Sequence, residues 1–167
     1  MSDIEPSSII PLIGAAQMEL PVVIVNSIIL LILLFLSALV SGSEVAFFSL
    51  SPKDLEELKA EKSKKSSQAL ELLRRPKNLL AIILIANNFI NVGIIVLAAF
   101  MTNSWFETPF WLDHPTLVFL TKAVGITFVI LLIGEVIPKV FATKNGLFLA
   151  KFTAIPLYGV SKTPPFS

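Results

Sequence analysis

Three long apolar runs constrain the fold of this chain more than any other feature. The first, LPVVIVNSIILLILLFLSALV over residues 20–40, contains only three polar side chains. An α-helix rises 1.5 Å per residue, so about 20 apolar residues cross the roughly 30 Å hydrocarbon core of a bilayer. The sequence therefore predicts an all-α integral membrane fold. Its three transmembrane helices are expected over about residues 20–45, 79–102 and 117–138.

Composition supports a membrane protein and excludes several other classes. Hydrophobic residues make up 54% of the chain, against about 45–50% in soluble domains, and the mean hydropathy is +0.82. The chain has no cysteine and a single histidine, His114, which argues against zinc, haem and thiol chemistry. A net charge of +1 and the lack of a nucleic-acid-binding motif predict no nucleic-acid partner. The spans carry no HExxH and no paired aspartates, so we predict that the protein is not an enzyme.

The connection over residues 51–77 is highly charged, with eight Lys or Arg and five Asp or Glu. Ser51 is a good N-cap, Pro52 suits the first helical position, and Asp54 lies three residues after the cap. Intermittent leucines predict two short amphipathic helices that form a belt at the membrane surface, the second of them closed by Pro76. An ordinary solvated helical loop would produce a similar pattern.

The distribution of basic residues predicts the orientation of the chain. Residues 1–19 and 103–116 carry no Lys or Arg, whereas residues 51–77 carry eight. Further lysines follow the third span at Lys139, Lys144, Lys151 and Lys162. The positive-inside rule then places the amino terminus outside and the carboxyl end in the cytoplasm. The chain is expected to be a multi-pass protein of the inner (plasma) membrane.

The ends of the chain and the outer loop lead to three smaller predictions. Residues 1–19 form an extracytoplasmic segment, and Trp105 and Trp111 lie at the membrane interface. The apolar run after the third span, residues 147–160, is short and contains a proline, so a re-entrant or interfacial segment is expected. The transmembrane domain thus covers residues 20–160, and residues 161–167 begin a linker.

Each span carries one polar motif. These are SGSE at 41–44, ANNFIN at 86–91 and GEVIPK at 134–139. An ionisable group inside a membrane costs at least about 2.5–3.5 kcal/mol on insertion scales, so it normally faces a cavity or a partner. The spacing of Asn87 and Asn91 places both on one face of a helix, since residues four apart are neighbours. Ser37 and Ser41 are related in the same way on the first span.

The third motif adds a carboxylate and a backbone oxygen. Pro138 has no N–H to donate to the carbonyl of Gly134, so that oxygen is free to bind a cation beside Glu135. Together with Ser41, Asn87 and Asn91, these groups form a set of hard oxygen ligands suited to Mg²⁺, Ca²⁺ or Na⁺ and unsuited to zinc. A single carboxylate predicts weak binding, as a transport site requires.

Two alternative interpretations of the polar residues are open. Asparagines and serines also join helices, each interhelical hydrogen bond contributing about 0.6 kcal/mol. This is the preferred interpretation for Asn88. Glu44 is either a ligand or the partner of a nearby loop lysine.

The motifs SGSEVAFFSL, ANNFIN and GEVIPK, in this order across three spans, resemble the transmembrane domain of the cyclin M/CorC family, also known as the domain of unknown function 21. The stretch FFSLSPKDLEEL further resembles the bacterial gliding-motility-associated members. One departure stands out, because the family commonly has glycine before the first asparagine, where this chain has Ala86.

The resemblance implies a fold of three transmembrane helices with a juxtamembrane helical belt, homodimerising in the lipid bilayer and followed by cytoplasmic CBS-type domains. It implies Mg²⁺ export coupled to Na⁺ influx, with Mg²⁺ held between the helices. By motif, the ligands would be Ser41, Asn87, Glu135 and the Gly134 carbonyl, with Asn91 or Ser43 completing the shell or serving Na⁺. The competing hypothesis is a non-transporting membrane scaffold that anchors a cytoplasmic regulatory module or a motility or secretion complex.

Overall fold

The computed structural model describes residues 20–102, 113–164 and 166, and these residues form helices and short connections. The predictions for residues 1–19 and for Trp105 and Trp111 fall outside the described residues. The helices are α1 (Leu20–Phe48), α2 (Pro52–Ala60), α3 (Lys64–Leu73), α4 (Pro76–Thr102), α5 (Pro115–Lys144) and α6 (Gly146–Ser161).

Helices α1, α4 and α5 are long and apolar enough to cross a membrane, which confirms the three predicted spans. The second begins three residues earlier than expected. Pro76 was predicted to close the second belt helix, and this was wrong. α3 ends at Leu73, and Pro76 instead begins α4, because proline is readily accepted in the first turn, where an N–H has no helical acceptor.

Helix α5 changes its winding in the middle. Residues Ile130–Val136 form a π-helix between two α-helical parts. In this stretch the N–H of Ile137 bonds to the carbonyl of Leu132, five residues back. Short π-helical turns are rare and occur frequently at functional sites. The sequence predicted a disturbed turn at Pro138 but not a wider helix before it.

The belt consists of two short helices, as predicted, and both begin with a serine cap. Ser51 Oγ accepts a hydrogen bond from the N–H of Asp54 at 3.2 Å, and Asp54 accepts one from the N–H of Ser51 at 2.8 Å. This reciprocal capping box, with Pro52 at the start, begins α2. Ser63 caps α3 in a similar way by accepting from the N–H of Ser66. Both helices bury leucines against the rest of the domain, and their position at the membrane surface stays a prediction.

Helix α6 runs without interruption for 16 residues through Pro156. Pro156 has no N–H and so removes one backbone hydrogen bond of the helix. The helix continues nevertheless because one of its faces is packed in the core. Leu149, Ala150, Ala154 and Leu157 are buried in the same core as residues of α1, α3 and α4. Its helical structure was not foreseen, and its position at the interface or as a re-entrant segment stays a prediction.

The hydrophobic core lies at the belt end of the spans, where Phe47, Leu58, Leu72 and Ile83 are almost completely buried. Further along the spans, by contrast, large apolar side chains point outward, and Phe89 is 80% exposed. Such a surface would be unfavourable in water but is expected in lipid. The chain is therefore a multi-pass membrane protein whose spans contact the bilayer.

Candidate functional site

One network of polar side chains joins the three spanning helices. Ser37 of α1 donates to Asn91 Oδ1 at 2.8 Å and lies 3.5 Å from Asn87 Oδ1. Both asparagines of α4 donate from Nδ2 to Glu135 Oε1 of α5, at 3.2 Å from Asn87 and 3.1 Å from Asn91. We call these four residues the polar cluster. The predicted stripe of Asn87 and Asn91 therefore faces the predicted carboxylate.

Helical periodicity and one glycine position these side chains. Asn87 and Asn91 lie one turn apart on α4 and reach the same carboxylate oxygen. On α5, a Cβ built on Gly134 would lie only 2.9 Å from Ser37 Oγ. Glycine thus lets α1 approach α5 closely, with the hydroxyl of Ser37, which is completely buried, against Gly134, the residue before Glu135.

The π-helical turn contains both Gly134 and Glu135. In an α-helix the carbonyl of Ile133 would accept from Ile137 and that of Gly134 from Pro138. Here the Ile137 N–H bonds to Leu132, and Pro138 has no N–H. At the level of the polar cluster, the carbonyls of α5 therefore have fewer N–H donors available to them than they would have in an α-helix. The role proposed for the Gly134 oxygen as a ligand stays a prediction.

Ser41 is buried one turn along α1 from Ser37, and among the described residues its Oγ has no hydrogen-bond partner. Its neighbour Gly42 packs against α5 and α6, since a Cβ there would lie 3.4 Å from the Pro138 carbonyl and 2.8 Å from Leu149 Cδ2. A buried hydroxyl without a partner is costly. Ser41 is therefore a group that a bound ligand could satisfy.

Ser43 and Asn88 are not part of the polar cluster. The hydroxyl of Ser43 donates to the carbonyl of Val40 at 2.6 Å, within its own helix. The amide of Asn88 donates to the carbonyl of Leu84 at 2.8 Å and is exposed. Asn88 was predicted to bind a neighbouring helix, whereas in this chain it bonds to its own.

Glu44 pairs with a lysine of a spanning helix. Its carboxylate lies 3.0 Å from the ammonium of Lys139, and both side chains are partly exposed. Lys139 lies four residues after Glu135, so this ion pair joins α1 to α5 one turn beyond the polar cluster. The structure thus gives Glu44 a lysine partner, as one of the two alternatives expected, but this lysine lies on a spanning helix and not in a loop.

The sequence interpretation missed Ser37 as a member of the site. It identified Ser41 and the i, i+4 relation of Ser37 to it, yet Ser37 makes the contacts with α4. Spacing shows which residues share a face, but it does not show which turn of that face meets the neighbouring helix.

The polar cluster offers oxygen ligands and one negative charge. Each asparagine currently directs its oxygen towards Ser37 and its nitrogen towards Glu135. Rotation of the amides would present their oxygens beside the carboxylate instead. Within the described residues, no three His, Cys, Asp or Glu side chains come together as a metal site, and Glu135 makes no ion pair with a Lys or Arg. The arrangement fits a hard cation held by neutral oxygens and one acid.

A second group of charges lies outside the spans, in the belt. Lys151 of α6 forms ion pairs with Glu57 at 3.2 Å and with Glu61. Glu57 lies in α2, and Glu61 directly follows it. The hydrogen bonds from Lys151 and Ser66 hold the pKa of Glu61 below its ordinary value. The hydrogen bond to Glu61 likewise raises the pKa of Lys151. These contacts tie the belt to α6.

Comparison with known proteins identifies the family. Residues 28–163 match the model of the cyclin M transmembrane N-terminal domain. The chain is also 33% identical over 128 residues to the UPF0053 protein of Haemophilus influenzae. That match covers 76% of this chain and 28% of the relative, so the chain spans little more than a quarter of that protein. The resemblance drawn from the three motifs is confirmed, and the chain belongs to the cyclin M transmembrane N-terminal domain family.

Proposed function

We propose that this domain transports a divalent cation, Mg²⁺, through a site between α1, α4 and α5. The observation that carries the proposal is the polar cluster, in which three different spans direct a hydroxyl, two amides and one carboxylate to one point. The buried hydroxyl of Ser41, which lacks a partner among the described residues, supports a ligand at this level. A carboxylate without a cationic partner inside a membrane is the expected binding partner for a transported cation.

The energetics of the polar cluster favour exchange over permanent binding. Hydrogen bonds between membrane helices contribute about 0.6 kcal/mol each on average. Little free energy is therefore lost when a cation replaces the bonds of Asn87 and Asn91 to Glu135. With a single acid, the site also binds weakly enough to release its ion. Ca²⁺ and Na⁺ share the preference for oxygen ligands, and the choice of Mg²⁺ rests on the family.

Direction, coupling and assembly are further parts of the proposal. The family supports Mg²⁺ export driven by Na⁺ influx in an inner (plasma) membrane, by a protein with its amino terminus outside and CBS-type domains in the cytoplasm. A homodimer is likewise proposed from the family.

The test is Mg²⁺ flux in proteoliposomes containing the full-length protein. We expect Glu135→Gln and Asn87→Ala to lower Mg²⁺ flux at least tenfold, because each removes an oxygen ligand while leaving the helix packing largely intact. Asn88→Ala is the matched control, since its amide is exposed and bonds within α4, and its flux should stay within about twofold of wild type.

Unchanged flux in both Glu135→Gln and Asn87→Ala would exclude the proposed site. A wild-type protein that is folded and dimeric, carries no flux and captures components of a motility or secretion complex would favour the scaffold instead. Replacing Mg²⁺ by Ca²⁺ in the same assay determines which cation is carried.

A further inference from the structure

A small cavity of about 120 Å³ lies at the belt end of the domain, away from the polar cluster. It is bounded by the end of α3, the first turns of α4 and the residues that follow α6. Its wall is apolar and includes Leu72 and Leu79, which are 4% and 1% exposed. Its rim is polar, with Arg75, Asn78 and Lys162. The cavity is therefore amphipathic.

The rim has positive charge without a compensating acid. Glu71 also borders the cavity, but it is paired with Arg74 at 3.3 Å. In the part of the chain that the structure describes, Arg75 and Lys162 form no ion pair with an acid. The ammonium of Lys162 lies 4.8 Å from the centre of the Tyr158 ring. Two cations beside one cavity are thus available to an anion.

The cavity also lies at a defined depth. Arg75 immediately precedes Pro76, the first residue of the spanning helix α4, so the rim is at the level where the span meets the lipid headgroups. Leu79 and Ile82 lie one and two turns further into the span, and both border the cavity. Cations at the headgroup level above an apolar wall match the order of groups in a phospholipid.

We propose that this cavity binds the headgroup of an anionic phospholipid, with Arg75 and Lys162 contacting its phosphate. Asn78 contributes to holding the far side of the cavity together, because its Nδ2 donates to the carbonyl of Phe166 at 3.4 Å. A bound lipid joins the belt, α4 and the segment after α6. The apolar wall favours a lipid over free phosphate. None of these residues belongs to the polar cluster, so the proposal stands or falls independently of ion transport.

The test compares two lipids on the full-length protein in an uncharged detergent. Short-chain phosphatidylglycerol and phosphatidylcholine of the same chain length are titrated, and lipid adducts are counted by native mass spectrometry. We expect preferential binding of phosphatidylglycerol. Arg75→Gln and Lys162→Gln should each weaken it about fivefold, as expected for one basic residue at a membrane surface. Lys77→Gln is the matched control, because Lys77 lies two residues from Arg75, is exposed and does not border the cavity.

Three results would overturn the proposal. Equal weakening by Lys77→Gln would indicate diffuse surface charge, and equal binding of inorganic phosphate would indicate a site for a soluble anion. Unchanged binding in the Arg75→Gln, Lys162→Gln double variant would mean that the lipid binds elsewhere or that the chain beyond residue 167 fills the cavity. Arg75→Lys keeps the charge and should retain binding, which separates loss of charge from loss of fold.

Discussion

Glu135 in the polar cluster and Glu61 in the belt are both carboxylates held by hydrogen bonds, but their partners differ. Glu61 lies outside the spans and is neutralised by Lys151. Glu135 lies inside a span and accepts only from the neutral amides of Asn87 and Asn91 among the described residues. The belt carboxylate therefore has its cation built into the chain, whereas the membrane carboxylate lacks one. A mobile cation can neutralise Glu135, but it has little to add at Glu61, where Lys151 already provides the positive charge.

The strongest way to test this contrast is to remove each charge in turn. We expect Glu135→Gln to abolish the stabilisation of the purified protein by Mg²⁺, because the amide has no charge to hold the ion. Saturating a site at about 100 times its Kd stabilises the folded state by about 2.7 kcal/mol, a shift that thermal unfolding readily detects. Glu61→Gln should keep the full Mg²⁺-dependent shift, and its loss in Glu61→Gln would show that the belt binds the ion.

A smaller effect is expected from closing the space between α1 and α5. Gly134→Ala puts a methyl group 2.9 Å from Ser37 Oγ, and overpacking of this kind costs about 1–3 kcal/mol. The control is Gly125→Ala, also on α5, where nothing lies within 4 Å of the new methyl group and the helix should be slightly stabilised. The readout is the denaturation midpoint in detergent.

The Gly134→Ala prediction has its own internal check. Ser37→Ala removes the Oγ that the new methyl group meets, so the double variant should be more stable than the sum of the two single losses. Ser37→Ala alone also removes the bond to Asn91. Strict additivity of the two substitutions would show that these atoms are not in contact.

The smallest effect is expected in the belt, and it depends on pH. The pKa of Glu61 is lowered in the folded state, so its contribution is present above its ordinary value of 4.5 and is lost as the pH falls through the lowered value. The pKa of Lys151 is raised, so its contribution is present below 10.5 and is lost as the pH rises through the raised value.

Thermal unfolding of wild type and Lys151→Met should therefore differ at neutral pH and converge in acid and in strong base. The difference should also shrink with added salt, because exposed ion pairs are screened. A constant difference across the whole pH range would mean that Lys151 acts through packing of its aliphatic part.

Features that depend on neighbours in sequence were predicted well. The capping box of Ser51 and Asp54 spans three residues, and the shared face of Asn87 and Asn91 spans one helical turn, so each follows from backbone geometry alone. The spans were also predicted, because their length and lack of charge are set by the thickness of the bilayer.

Features that depend on how helices meet were predicted only in part. Asn87 and Asn91 were expected opposite Glu135, but their serine partner was not identified. Ser37 and Asn91 are 54 positions apart, and only the packing of α1 on α4 shows that Ser37 rather than Ser41 reaches the asparagines. The pairing of Glu44 with Lys139 likewise depends on the rotation of α5 relative to α1. The π-helical turn adds to this difficulty, because it changes which side chains of α5 face inward.

The sequence by itself determined that this chain is a three-span membrane protein of the cyclin M family with one polar motif in each span. Apolar length, helical period and ordered motifs are properties of the chain, and they need no partner helix. Only the tertiary structure decided that Ser37 and not Ser41 meets the asparagines, and that Lys139 pairs with Glu44. The physical reason is that pairing across helices is set by close approach at Gly134 and by the winding of α5, which no local spacing specifies.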